Sequence, residues 1–170
     1  LNNLGSVLTD LDSIEDAKTC FDESIVLCRE ANDLAGEART LNNLAVLLEK
    51  KEQLEHARRV YQQAEVILES VGDVRREITT LINIASVAWR NRDEENGRAA
   101  FRKAWRLAQG ESFHNELAVL FQLRGDWSAS FRHSRTLAKR WYHKALEKCT
   151  EEIIKTGLQQ RLNWLEQQEI

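Results

Sequence analysis

One string of residues returns at a fixed interval and limits what this chain can become. Leu1-Asn2-Asn3-Leu4-Gly5-Ser6-Val7-Leu8 comes back as Leu41-Asn42-Asn43-Leu44-Ala45-Val46-Leu47-Leu48, and again as Leu81-Ile82-Asn83-Ile84-Ala85-Ser86-Val87-Ala88. A second block follows each copy: Ala17, Phe21 and Ser24; Ala57, Tyr61 and Ala64; Gly97, Phe101 and Ala104. Both blocks recur every 40 residues. Self-similarity at such a period is the mark of a repeat array.

The spacing has a physical reading. Steps of three and four place side chains on one helix face. A small residue there lets a neighbouring helix come close, and an aromatic residue fills the space beside it. Gly5, Ala45 and Ala85 fall on the first helix of each pair, and Ala17, Ala57 and Gly97 on the second. That interval suits two antiparallel helices with a short turn. A single pair cannot bury its apolar face, whereas stacked pairs can.

The punctuation agrees. The chain has no proline and only 7 glycines in 170 residues, so the frequent turns that a sheet needs are missing. Turns within pairs are expected at residues 10–14, 50–54 and 91–95. Asp33 and Asp73 between pairs are expected N-caps, with Glu37 and Glu77 in the first turn complementing the helix dipole. The fold class is therefore all-α.

These residues resemble the tetratricopeptide repeat (TPR) family, whose pattern places Leu, Gly or Ala and a large residue on one helix, then Ala, an aromatic and Ala on the next. Leu1/Leu4/Gly5/Leu8/Ala17/Phe21/Ser24 fits, as does Leu41/Leu44/Ala45/Leu48/Ala57/Tyr61/Ala64. The third copy departs, with Ala88 at a large position and Gly97 at an alanine position. The usual closing proline is absent. The long period and the Leu-Asn-Asn-Leu string are similar to kinesin light chains. Residues 33–39 followed by Asn43-Leu44-Ala45 are similar to the Pins/LGN adaptors, and bacterial signalling regulators with TPR arrays look alike too. The resemblance implies an α-α superhelix, a solenoid of helix pairs closed by C-terminal capping helices.

Repeats are expected at about residues 1–33, 34–73, 74–110 and 111–140, with capping or partner-binding helices over 141–170. For the fourth repeat two registers compete. One takes Gly125-Asp126-Trp127 as the turn, followed by Ala129 and Ser130 on the second helix; the other takes Ala138, Tyr142 and Ala145 as the second-helix block. The first is favoured because Gly-Asp is sound turn chemistry. Trp141 and Trp164 are expected at the surface of the capping helices, where they could meet another protein or a second copy of the chain.

The resemblance also implies where a partner would sit, because TPR first helices line a concave groove. The matching positions are Asn2, Asn3, Ser6 and Thr9; Asn42, Asn43, Val46, Glu49 and Lys50; and Asn83, Ser86, Trp89 and Arg90. An amide can both donate to and accept from a peptide backbone. Trp89 would anchor an apolar side chain, and Arg90 would fork onto a carboxylate. Asn3, Asn43 and Asn83 have two readings, a peptide contact or a side-chain amide bonding the backbone of the next pair.

Other functions find less support. A net charge of −3 argues against nucleic acid as the partner. The one dense basic stretch is Arg132, His133, Arg135, Lys139, Arg140, His143 and Lys144, with Trp141 and Tyr142 interleaved. No phosphate loop, metalloprotease motif or nucleophile elbow occurs, so neither enzyme, cofactor nor metal is implied. No apolar run is long enough to cross a membrane. Three scattered cysteines, Cys20, Cys28 and Cys149, suit a reducing compartment such as the cytoplasm. The start at Leu1 suggests a fragment or a processed chain. The expected function is a scaffold or adaptor holding a protein or peptide partner, with a regulatory segment of a larger signalling protein as the alternative.

Overall fold

The computed structural model describes residues 1–110, 112–130 and 134–167. Among them every regular element is an α-helix. In order they are α1 (Asn2–Asp10), α2 (Ile14–Glu30), α3 (Leu34–Lys50), α4 (Leu54–Val71), α5 (Val74–Arg90), α6 (Glu94–Leu107), α7 (His114–Ser130), α8 (Arg135–Lys148) and α9 (Glu152–Gln167). The chain divides into two compact units, Leu1–Ala100 and Phe101–Ile170, with the border inside α6. The expected all-α architecture of stacked helix pairs is found.

In the first unit each of α1 to α4 packs on the helix that follows it, and α1 also touches α3. Five connections repeat one geometry. Asp12, Asn32, Glu52, Gly72 and Arg92 all adopt left-handed backbone, with φ of 62°, 53°, 55°, 72° and 60°. The next residue in each case sends its N–H back to a carbonyl five residues earlier: Ser13 to Leu8, Asp33 to Cys28, Gln53 to Leu48, Asp73 to Leu68 and Asp93 to Ala88. This closes the helix in a Schellman motif. The same residue then opens the next helix. Asp33 accepts from the N–H of Gly36 at 2.8 Å, Asp73 from that of Arg76 at 3.2 Å and Asp93 from that of Asn96 at 3.1 Å. One residue thus closes a reversal through its N–H and caps a helix through its side chain, so two or three residues suffice between helices.

The small and aromatic blocks interlock as their spacing predicts. Ala17, Ala57, Ala45 and Ala85 are fully buried, as are Phe21 and Tyr61. A Cβ placed on Gly5 would lie 2.6 Å from Cε1 of Phe21, so only glycine admits the ring there. Phe21 and Ile25 of α2 form one core with Leu41, Leu44 and Leu47 of α3 and Ala64 of α4.

The second unit corrects the favoured register of the fourth repeat. Gly125-Asp126-Trp127 is no turn; it lies inside α7, and Trp127 is buried. Ala138, Tyr142 and Ala145 of α8 are the buried block instead. The reason is packing. A Cβ on Gly125 would lie 2.4 Å from Cε1 of Tyr142, and the Tyr142 hydroxyl donates to Asp126 at 2.7 Å. Glycine and aspartate were chosen here for a helix contact, which overrides their turn preference. Residues 140 and 141, where the capping segment was expected to begin, both fall within α8. α9 packs on α8 through Leu158, Leu162 and Leu165. Trp141 is also corrected: it stacks on Phe121 at 5.8 Å between ring centroids and is half-buried, while Trp164 is exposed.

Candidate peptide-binding surface

The expected groove residues fall on α1, α3 and α5, and many of them spend their hydrogen bonds on one another. Asn43 Nδ2 donates to Asn2 Oδ1 at 2.9 Å and to Ser6 Oγ at 3.2 Å. Asn42 donates to the carbonyl of Ala38 at 3.0 Å and accepts from the Thr80 hydroxyl at 3.0 Å. Both ends of the Asn42 amide are therefore used within the protein. Thr9 is buried and bonds the carbonyl of Gly5. Asn3 takes only a long 3.4 Å bond from Asn2.

The two groove cations are held as well. Lys50 Nζ donates to the carbonyl of Thr9 at 2.6 Å, where the end of α1 carries partial negative charge. Arg90 donates to Glu49 at 2.5 Å and approaches Glu52 at 3.4 Å. The other oxygen of Glu49 accepts from the Tyr61 hydroxyl at 2.8 Å. Arg90 does fork toward carboxylates, but they belong to its own protein. Burial, with the Glu49 carboxylate alongside, pushes the Tyr61 phenol well above its ordinary range. In the second unit Tyr142, Asp126 and Arg161 form the same kind of triad, Arg161 Nε reaching Asp126 at 3.0 Å. Sequence reading did not find these triads, because their members stand up to 41 residues apart.

Trp89 is a correction. It is 2 % exposed and packs against Gly97 at the start of α6, so it offers no anchor to a partner.

What stays open is a cleft between α3 and α5 of ≈ 240 Å³, lined by Arg39, Asn42, Asn43, Val46, Arg76, Thr79, Thr80 and Asn83. Asn83 and Arg39 have no hydrogen-bond or ion-pair partner among the described residues. Val46 is 44 % exposed. Arg76 pairs with Asp73. Ser86 is half-buried on the same helix as Asn83. Arg39 was missed in the sequence, although it stands four residues before Asn43 and hence on the same helix face.

A larger opening of ≈ 430 Å³ lies at the turns, lined by Glu52, Gln53, Leu54, Glu55, His56, Arg59 and Asn91. Its charges are largely matched: Arg58 and Arg59 both bond Glu55 and hold its carboxyl down to about 2. Glu65, Glu69 and Glu77 bring carboxylate oxygens within 4.8 Å of one another, but each already takes part in an interaction within the protein. The basic stretch loses its stacking surface, since Tyr142 is buried and Lys144 lies over the Trp141 ring at 5.0 Å. Arg132 and His133 lie outside the described residues. Among the described residues no helix is long and apolar enough to cross a membrane.

Antiparallel helix pairs joined by one recurring turn and tied by first-helix side chains define a helical repeat protein. Residues 1–70 match the family model of the tetratricopeptide repeat. No curated protein matches the chain. Tetratricopeptide repeats are in general protein–protein interaction modules, and stacked repeats present extended surfaces suited to that use.

Proposed function

We propose that this chain is a non-enzymatic adaptor that holds an extended peptide segment of a partner protein against α3 and α5, on the concave side of a TPR array. The observation that carries this is the cleft whose Asn83 amide and Arg39 guanidinium have no partner among the described residues, with Val46 exposed between helices. Asn83 can both donate to and accept from a peptide unit, and the Oδ1 of Asn43 is open as an acceptor. Arg39 suits a carboxylate on the peptide, and Val46 an apolar side chain. Asn2, Asn42, Lys50 and Arg90 serve as struts that fix the first helices, and they reach the peptide less than Asn83 does. Cys20, Cys28 and Cys149 are free thiols, which fits a reducing compartment such as the cytoplasm.

Peptides selected from a random display library on the wild-type chain provide the test. Asn83→Ala combined with Arg39→Glu should weaken the selected peptides by at least tenfold, ~1.4 kcal/mol, with the helical spectrum unchanged. Peptides that bind the folded double variant at full strength would show that the cleft is not the site.

A further inference from the structure

The interface between α1 and α3 shows why the cleft between α3 and α5 stands open. Asn43 donates to Asn2 and to Ser6 and so ties α3 to α1. Forty residues on, the same three positions hold Asn83, Asn42 and Val46. Val46 cannot accept a hydrogen bond, and the Oδ1 of Asn42 already takes the Thr80 hydroxyl. The tie is therefore missing, and the Asn83 amide lines the cleft instead.

A second exchange adds charge. The position of Gly36 on α3 is held by Arg76 on α5, and Arg76 lines the cleft together with Arg39. Arg39 bonds nothing among the described residues, and the side chain of Arg76 gives only Nη1, to Asp73. Acidic side chains outnumber basic ones in the first unit, residues 1–100. The cleft is nevertheless lined by two guanidinium groups and no carboxylate.

A carboxylate has two oxygens in one plane, and a single guanidinium fork satisfies it. Two guanidinium groups on facing walls match a ligand with more charge and more oxygens. A phosphomonoester carries about −1.5 to −2 charges at pH 7 and three strong acceptor oxygens. We propose, building on the peptide site just described, that the cleft receives a phosphorylated serine or threonine of the bound peptide, held between Arg39 and Arg76. The acidic surroundings repel a long polyanion such as nucleic acid more than a single phosphate.

The cleft also sets a spacing. Arg39 and Val46 stand seven residues apart on α3, about 10 Å along its axis. A peptide in the polyproline II form advances ~9 Å in three residues and returns to the same face. An aliphatic residue three positions from the phosphate then meets Val46, and the backbone between them is within the span of Asn83.

The probes are three degenerate peptide libraries, alike except for one fixed central residue: phosphoserine, serine or glutamate. The 170-residue chain should retain the phosphoserine library best, with aliphatic residues enriched three positions from the centre. Single peptides from that pool should bind at least tenfold more weakly once the phosphate is removed, and glutamate in its place should not restore them. Arg76→Gln should erase the difference between phosphorylated and unphosphorylated forms, and Arg76→Lys should keep part of it; circular dichroism confirms that both variants are folded. A serine or glutamate pool retained as well as the phosphoserine pool overturns the proposal. The peptide site itself survives that result if Asn83→Ala with Arg39→Glu still abolishes retention. A phosphate preference that persists in Arg39→Gln with Arg76→Gln also overturns the proposal, since the phosphate would then be held elsewhere. Retention of none of the three pools overturns the proposal and the peptide site together.

Discussion

The indole of Trp89 occupies the space that any side chain at position 97 would need. A Cβ built on Gly97 would lie 2.3 Å from both Cδ1 and Nε1 of the ring. The first two repeats hold Thr9 and Glu49 where the third holds Trp89, and they carry Ala17 and Ala57 where the third carries Gly97. The larger residue and the missing methyl are one exchange. Gly97→Ala should therefore destabilise the chain by ~1 kcal/mol: overpacking costs about 1–3 kcal/mol, and the helix propensity of alanine returns about 1. Urea unfolding measures this. The loss should shrink or reverse in a Trp89→Leu background, and equal losses in both backgrounds would dissociate the two residues.

The left-handed positions predict opposite effects for opposite substitutions. Arg92 adopts φ 60° with a Cβ to accommodate. Arg92→Gly should stabilise the chain by about 0.5–1 kcal/mol, less the greater entropy of glycine in the unfolded chain. Gly72→Ala should cost about 1 kcal/mol, although nothing lies within 4 Å of its Cβ, because the backbone alone is strained. Thermal unfolding of both variants compares them directly.

The buried tyrosines predict an alkaline limit. Tyr61 and Tyr142 have phenols raised above 10.0, first by burial and then by the Glu49 and Asp126 carboxylates. Above about pH 10 the unfolded chain loses these protons while the folded chain keeps them, so stability falls as pH rises. Below that pH their contribution is complete. Tyr61→Phe with Tyr142→Phe should cost about 1 kcal/mol per hydroxyl at pH 7 and should flatten the fall between pH 9 and pH 11. Denaturant midpoints at the two pH values read both effects.

Gly125 is expected to behave as Gly97 does. Gly125→Ala should destabilise the second unit, because Cε1 and Cδ1 of Tyr142 lie 2.4 and 2.6 Å from the new methyl. Hydrogen exchange should show lost protection along α7 and α8, with α2 to α4 unaffected. Uniform protection in wild type and variant would contradict the contact.

The legible part of this fold was local. Asp33 and Asp73 announced their caps because a cap bonds an N–H three residues on, and the small-aromatic blocks announced a helix face because three and four residues make a turn. Gly97 looked like a defect in its block, since its reason is a ring on another helix. Gly125-Asp126 carried real turn chemistry and lost to the tyrosine it was shaped for. The groove fared similarly. Helix periodicity put Glu49 and Arg90 on the same side, but it could not show that they would take each other, nor that Trp89 would turn inward. Among the described residues Arg39 and Asn83 are open because their neighbours are otherwise engaged, a property of the whole set of bonds.

The links between first helices also give the array an order. Lys50 reaches back to a carbonyl at Thr9, whereas Arg90 reaches back to the carboxylates of Glu49 and Glu52. If the second and third pairs exchanged places, Arg90 would meet Thr9 in place of Glu49, with the shorter Asp12 in place of Glu52, and would lose its closer ion pair. The pairs share one geometry but not one chemistry, so the tie between the second and third is keyed to their order, and shuffling them would cost the stack that bond even though every hairpin could still form.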